Sequence, residues 1–216
     1  MNLTRLGKRA TVVATAAIVA SALVAAPASA HGKPLKTKSL AAVLTAGKVG
    51  FDRNGHDYDI LTAAVQAVLK AKPASPVGVL ADGTKPLTAF LPNDLAFERL
   101  VADIKHTKRL PSEKKAFTAV AGLGIDTVEA VLLYHVVPGA RITGKAALKA
   151  DGVRLTTAAG GKIKVDVYGH GRHKRIMLID ADRSDRNPRV NKVDINKGNR
   201  QIAHGIDRVL RPIDLP

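Results

Sequence analysis

Tyr134 and His135 stand side by side inside Val128 to Gly139, the run Val-Glu-Ala-Val-Leu-Leu-Tyr-His-Val-Val-Pro-Gly. A phenol and an imidazole both exchange protons, so two polar-tipped rings in so apolar a run are either chemistry or a buried hydrogen-bonding pivot. Chemistry would need a reacting partner. The sequence has no Gly-x-Ser-x-Gly, no phosphate-cradling P-loop and no dinucleotide fingerprint. Asp180, Asp182 and Asp185 form an acidic cluster, but Arg183, Arg186 and Arg189 interleave with it, the pattern of mutual surface pairing rather than of a metal site. Phe51 to Asp57 has calcium-loop character at first sight. Counting from Asp52, however, an EF-hand would need Gly where Asp57 stands and a bidentate Glu where Ala63 stands. No catalytic residue, metal or cofactor is therefore expected.

The densest cationic segment is Gly169-His170-Gly171-Arg172-His173-Lys174-Arg175. Its glycines suit a hairpin tip, and Arg172, His173, Lys174 and Arg175 could follow phosphates or sulfates as point charges. His170 and His173 have no neighbouring acid or Cys to complete a metal site, and the flanking cations oppose one. The whole chain carries 34 Lys+Arg against 18 Asp+Glu, a formal charge of +16. Charge of this size speaks to solubility and attraction to polyanions, not to fold. Aromatic content of 3% and the absence of Trp argue against stacking platforms, so no dedicated nucleic-acid site is expected.

The elements that must position these residues begin after a leader. Arg5, Lys8 and Arg9 precede an Ala/Val-rich run that ends at Pro27-Ala28-Ser29-Ala30, the pattern of a cleaved secretory signal. Cleavage removes those three cations and leaves no membrane span, so a secreted, extracellular protein is expected. There is no cysteine and hence no disulfide. His31 to Lys38 reads as a flexible lead-in, and Ser39 caps a short segment to Leu44. Asp57 or Asp59 caps a helix through Leu69 that Pro73 ends. Leu87 to Leu91 is a strand, and Pro92-Asn93-Asp94 turns into a second helix. Ser112 caps a third, and Asp126 with Glu129 reads as a capping box for the run that ends at Tyr134-His135. Lys105 to Arg109 reads as a solvated connection. Beyond Gly139 the period becomes two, with strands at Val153–Thr157, Lys162–Tyr168, Ile176–Ile179, Val190–Ile195 and Ile202–Leu210. Helices first and short strands later make the fold class α+β.

Three blocks in this order resemble the fasciclin (FAS1) domain family. Thr88-Ala89-Phe90-Leu91-Pro92-Asn93-Asp94-Leu95-Ala96-Phe97 is similar to its first block, with Thr88, Phe90, Pro92, Asp94 and Phe97 at the family positions and Asn93 where Thr is usual. Leu132 to Gly139 is similar to its Tyr-His block, carrying Tyr134, His135 and Pro138. Asn199 to Pro212 is similar to its last block, with His204, Ile206 and Asp207, although Asn199-Arg200-Gln201 replaces the usual Asn-Gly. The resemblance implies a secreted, single-domain member of bacterial type, a wedge of short β-strands flanked by several α-helices, and no catalytic machinery. It implies a domain plan of signal peptide over 1–30, lead-in over 31–56 and FAS1-like domain over 57–213. It also implies a role in cell adhesion or extracellular-matrix association. Partners of the expected kind are an extracellular or cell-wall polyanion or polysaccharide, or a surface protein. In animal members an Asp-Ile pair upstream of the last block is implicated in integrin-dependent adhesion. Asp194-Ile195 occupies that place, with Val193 and Asn196 as departing neighbours. The alternative function is a soluble carrier of an apolar small molecule in a crevice between helices and sheet. The family likeness makes Tyr134-His135 a structural junction from helix to strand.

Overall fold

Two six-residue runs, Leu87–Pro92 and Gln201–Ile206, are buried along their whole length and lie side by side in the middle of one sheet. The computed structural model describes residues 33–47 and 50–213, and the signal-peptide reading falls outside them. The order of elements is α1 (Leu40–Leu44), α2 (Asp59–Ala71), a 3₁₀ turn (Pro76–Ala81), β1 (Leu87–Pro92), α3 (Asp94–Ile104), α4 (Glu113–Ala121), α5 (Ile125–Tyr134), β2 (Val136–Pro138) and α6 (Gly144–Ala147). Then follow β3 (Arg154–Thr156), β4 (Lys162–Tyr168), a 3₁₀ turn (Gly171–His173), β5 (Arg175–Ile179), β6 (Val190–Ile195) and β7 (Gln201–Ile206). The fold is α+β, as the sequence predicts.

The four-stranded sheet runs β2-β1-β7-β6, and a three-stranded antiparallel sheet runs β3-β4-β5. β1 and β7 are parallel, Leu87 facing Gln201 and Pro92 facing Ile206, while β2 and β6 are antiparallel to their neighbours. A parallel pair covered on both faces must be apolar on both. Along β1, Leu87, Ala89 and Leu91 join a core formed with the helices. Phe90 joins a second core with Tyr134, Ile163, Val165, Ile176 and Leu178. The period-two alternation of β4 puts Ile163 and Val165 into that second core.

Three local expectations change in the folded chain. Neither Asp57 nor Asp59 caps α2, whose N-cap position is Tyr58 and carries no side-chain cap bond. Asp94, on α3, does it instead: its Oδ2 accepts from Asp59 N at 3.2 Å and its Oδ1 from Ile60 N at 2.9 Å. Asp126 and Glu129 form no capping box, because Gly124, at φ 89°, holds the N-cap position of α5. Both carboxylates pair with Lys72 at the end of α2, Asp126 at 2.6 Å, and so join two helices rather than cap one. The lead-in is tied down from Lys36 onward. Lys36 N donates to Gly198 O and Arg200 N to Lys36 O, each at 2.9 Å, and Leu40 is fully buried. By contrast Ser39 and Asn93 cap their helices as read, accepting from Ala42 N and Ala96 N.

Candidate functional site

The three motif blocks meet around Tyr134-His135. Helix α5 ends with His135 as its C-cap, and the next residue begins β2, which pairs with β1. Phe90 N, in β1, donates to His135 O at 2.9 Å, and Asn93 N donates to Ile206 O of β7 at 3.2 Å. Tyr134 is 1% exposed, and its hydroxyl donates to Lys162 O at 2.9 Å. Burial, with Asp180 nearby, pushes the phenol up to about 12.

The His135 ring is 4% exposed and bonded at both nitrogens. Nδ1 lies 2.7 Å from Val131 O, and Nε2 lies 2.9 Å from Leu210 N. A carbonyl only accepts and a backbone N–H only donates, so the ring is the neutral tautomer with its proton on Nδ1. Burial pushes its pKa down to about 4, against the smaller opposing effect of the Val131 carbonyl. Both nitrogens are committed to backbone, which leaves neither free to move a substrate's proton.

The other motif residues are similarly engaged. Thr88 Oγ1 donates to Ala140 O and accepts from Ile142 N, both at 2.8 Å. His204 is 1% exposed; Nε2 lies 2.9 Å from Ile142 O, Nδ1 accepts from Asp194 N at 3.3 Å, and the ring lies 6.1 Å from that of Phe90. Burial lowers its pKa. Phe97 and Ile206 are buried, one in each core, and Pro92 is buried at the end of β1. Pro138 is exposed at the end of β2. Asp207 accepts from Arg189 N at 2.7 Å, and its carbonyl takes a bond from Arg99.

Asp194 and Ile195 are half-buried, and Asp194 Oδ2 lies 3.8 Å from the exposed Lys197. Asp194 Oδ1 accepts from Gly144 N, the first residue of α6, at 2.7 Å, and Ile195 packs against the helical core. Asp194 takes a left-handed φ of 60°, which Asp adopts at low cost in turns. The residue this turn presents outward is Val193, 50% exposed.

Arg172, His173, Lys174 and Arg175 are all exposed, at the tip joining β4 and β5. Among the described residues none of these cations forms an ion pair. A second basic surface lies between α3 and α4, where Lys105, Arg109 and Lys115 line a cleft of about 480 Å³. The charge run Lys105 to Arg109 is visible in sequence, but its closure over Lys115 and Leu110 depends on how α4 packs on α3.

Asp182 and Asp185 pair differently from the sequence expectation. Asp182 is 3% exposed and lies 3.2 Å from the buried Arg211; Asp185 lies 2.9 Å from the same guanidinium and 3.4 Å from Arg208. Their cations come from the end of the chain, not from the interleaved Arg183, Arg186 and Arg189. Asp180 accepts from Arg211 N at 2.8 Å, and burial raises its pKa to about 6.

A carrier of apolar molecules needs a cavity of about 300–1,000 Å³. The apolar cavity between α2, α3, α4 and α5, bounded by Phe97, Leu100, Val128 and His135, is about 20 Å³, and the one between the sheets is about 10 Å³. Neither holds more than a water. Carboxylates close enough to share a cation occur at Asp52, Asp57 and Asp59, and again at Asp59, Asp94 and Glu113.

Among known families, the fasciclin domain matches residues 58–212. No curated protein matches. Among solved structures, a FAS1 domain pair from the insect cell adhesion molecule fasciclin I is similar at 15% identity and a TM-score of 0.47. The match covers 74% of this chain and 46% of that one, so this chain spans about half its length.

Proposed function

Because the chain belongs to the fasciclin domain family, whose domains are adhesion modules found typically in secreted and cell-surface proteins, we propose that it is a non-enzymatic module binding an anionic polymer outside the cell. The observation that carries this reading is the hairpin tip. Arg172, Lys174 and Arg175 stand exposed and without acidic partners, on a chain of formal charge +16. Cations held on a two-stranded ribbon attract sulfate, phosphate or carboxylate groups at long range, and the rigid sheet behind them limits the entropy given up on binding. The cleft with Lys105, Arg109 and Lys115 extends the same chemistry to a second surface. Asp194-Ile195 contributes no receptor contact in this reading, since the Asp194 carboxylate is already bonded to Gly144 N.

Retention on a sulfated or carboxylated polysaccharide resin tests the proposal. Wild type is expected to elute at high salt, and the triple change Arg172→Gln, Lys174→Gln, Arg175→Gln to elute markedly earlier. The slope of log affinity against log salt should fall by roughly one for each cation neutralised. Unchanged elution of the triple variant would remove the tip from the binding surface. The same experiment with Lys105, Arg109 and Lys115 changed to Gln reports on the cleft.

A further inference from the structure

Helices α2, α3 and α4 each begin with an acid: Asp59, Asp94 and Glu113 are their first residues. The three side chains converge, each offering a carboxylate oxygen, all within 4.8 Å of one another. All three are buried, at 6%, 0% and 3% exposure. Among the described residues none of them forms an ion pair.

Two of the acids have partners. Asp94 accepts from Asp59 N and Ile60 N, and Asp59 Oδ2 accepts from Gly50 N at 3.1 Å. Glu113 has none: both carboxylate oxygens are buried without a hydrogen-bond partner. Asp57 Oδ1 is a third buried oxygen in the same condition. Such orphans are rare in folded proteins, because a buried charge without a partner is strongly unfavourable.

Helix dipoles are the first compensation to consider, since an acid at a helix N-terminus is favourable. Each terminus carries roughly half an elementary charge, so three termini offset roughly half of three ionised carboxylates. Asp57 adds a further carboxylate oxygen within 4.8 Å of Asp59. The site is short of positive charge.

We propose that Asp59, Asp94 and Glu113 hold a hard divalent cation of the calcium class, with Asp57 beside them as a further ligand. Carboxylate-only donors select hard cations over zinc or copper. Calcium accepts an irregular set of protein oxygens, whereas magnesium keeps several waters that so buried a cluster would have to shed. An approach exists: Asp57 and Asp59 line a cleft of about 300 Å³ with the exposed Asp52 at its edge. The bound ion staples the starts of three helices that the sequence separates by up to 54 positions, from Asp59 to Glu113. This goes beyond the polymer-binding reading and involves none of its residues.

The test is calcium chloride added to chelator-treated protein, read by calorimetry and by thermal unfolding. One calcium per chain and a raised Tm are expected, with Kd on the order of 10⁻⁴ M or tighter. Glu113→Gln keeps the side chain's shape and breaks no hydrogen bond, so it should fold and bind calcium at least roughly tenfold more weakly. Asp126→Asn, a remote exposed carboxylate, should bind as wild type does. Substoichiometric manganese chloride gives an answer without any variant: it should broaden the amide signals of Ile60, Leu95 and Lys114 first. No heat and no Tm change at a few millimolar calcium would overturn the proposal. So would unchanged binding by Glu113→Gln, or manganese broadening confined to the surface near Asp52.

Discussion

Replacing His135 by Ala should lower stability in a way that depends on pH, and the size follows from its two hydrogen bonds. At pH 7 the neutral ring donates to Val131 O and accepts from Leu210 N, in a site with 4% exposure. Alanine leaves the Leu210 N–H buried without an acceptor, which costs about 1–3 kcal/mol. The space vacated by the imidazole adds about 2 kcal/mol, at the low end for large-to-small changes in a core. The sum, about 3–5 kcal/mol, is a large share of the roughly 5–15 kcal/mol that holds a domain folded. Acid reduces this difference. The folded ring has a pKa of about 4, against 6.5 when unfolded. Between those values the unfolded chain binds more protons than the folded one, so stability falls as pH falls from 6.5 to 4. The depression corresponds to about 3 kcal/mol, lost from the wild type and not from the variant. Urea unfolding of both proteins at pH 7 and pH 4 should therefore show a gap that narrows from about 3–5 to about 0–2 kcal/mol. Taking the difference cancels the titration of other acids. A gap that stays constant across this range would refute the buried, neutral, doubly bonded ring.

Two further expectations concern side chains that link distant segments. Gln201 is fully buried; Oε1 accepts from Leu40 N at 2.7 Å, and Nε2 donates to Val79 O and Asp82 O at 2.7 and 2.8 Å. Gln201→Ala should cost about 2–4 kcal/mol in urea unfolding, since three backbone groups lose their partner. It should also speed amide exchange at Leu40, and unchanged protection there would count against the link. Arg211→Ala strips the guanidinium from buried Asp182 and from Asp185, so a loss of about 3–5 kcal/mol is expected. A loss under 1 kcal/mol would mean that the pair is solvated.

Much of the fold is legible in the sequence because the forces behind it are local. The apolar run at Leu87–Leu91, the alternation along Lys162–Tyr168, the caps Ser39 and Asn93, and the breaks at Pro73 and Gly139 act within a few residues of themselves. The three motif blocks carry the family likeness in their residue types and order alone. The misreadings share one cause. Asp59, Asp126 and Glu129 stand at positions where a local cap is the economical reading, yet the folded chain offers each a different neighbour. α2 receives its cap from Asp94, 35 residues away, and Lys72 draws Asp126 and Glu129 across to another helix. Similarly, Asp182 and Asp185 lie among arginines in sequence, but the cation buried with them is Arg211.

The order of elements, the family, the excess of positive charge and the cationic run at Arg172 to Arg175 can all be read from the amino-acid sequence. These are properties of composition and of short-range pattern. It took the folded chain to show that the Tyr134 hydroxyl and His135 Nε2 are spent on backbone groups of other segments, Lys162 O and Leu210 N. The tertiary structure alone decided that Asp194 bonds to Gly144 N, and that Asp59, Asp94 and Glu113 share one buried point. Each of those outcomes depends on which chain segments pack together, and hydrogen bonds and charges are then satisfied or left wanting by whatever that packing brings within about 3–5 Å.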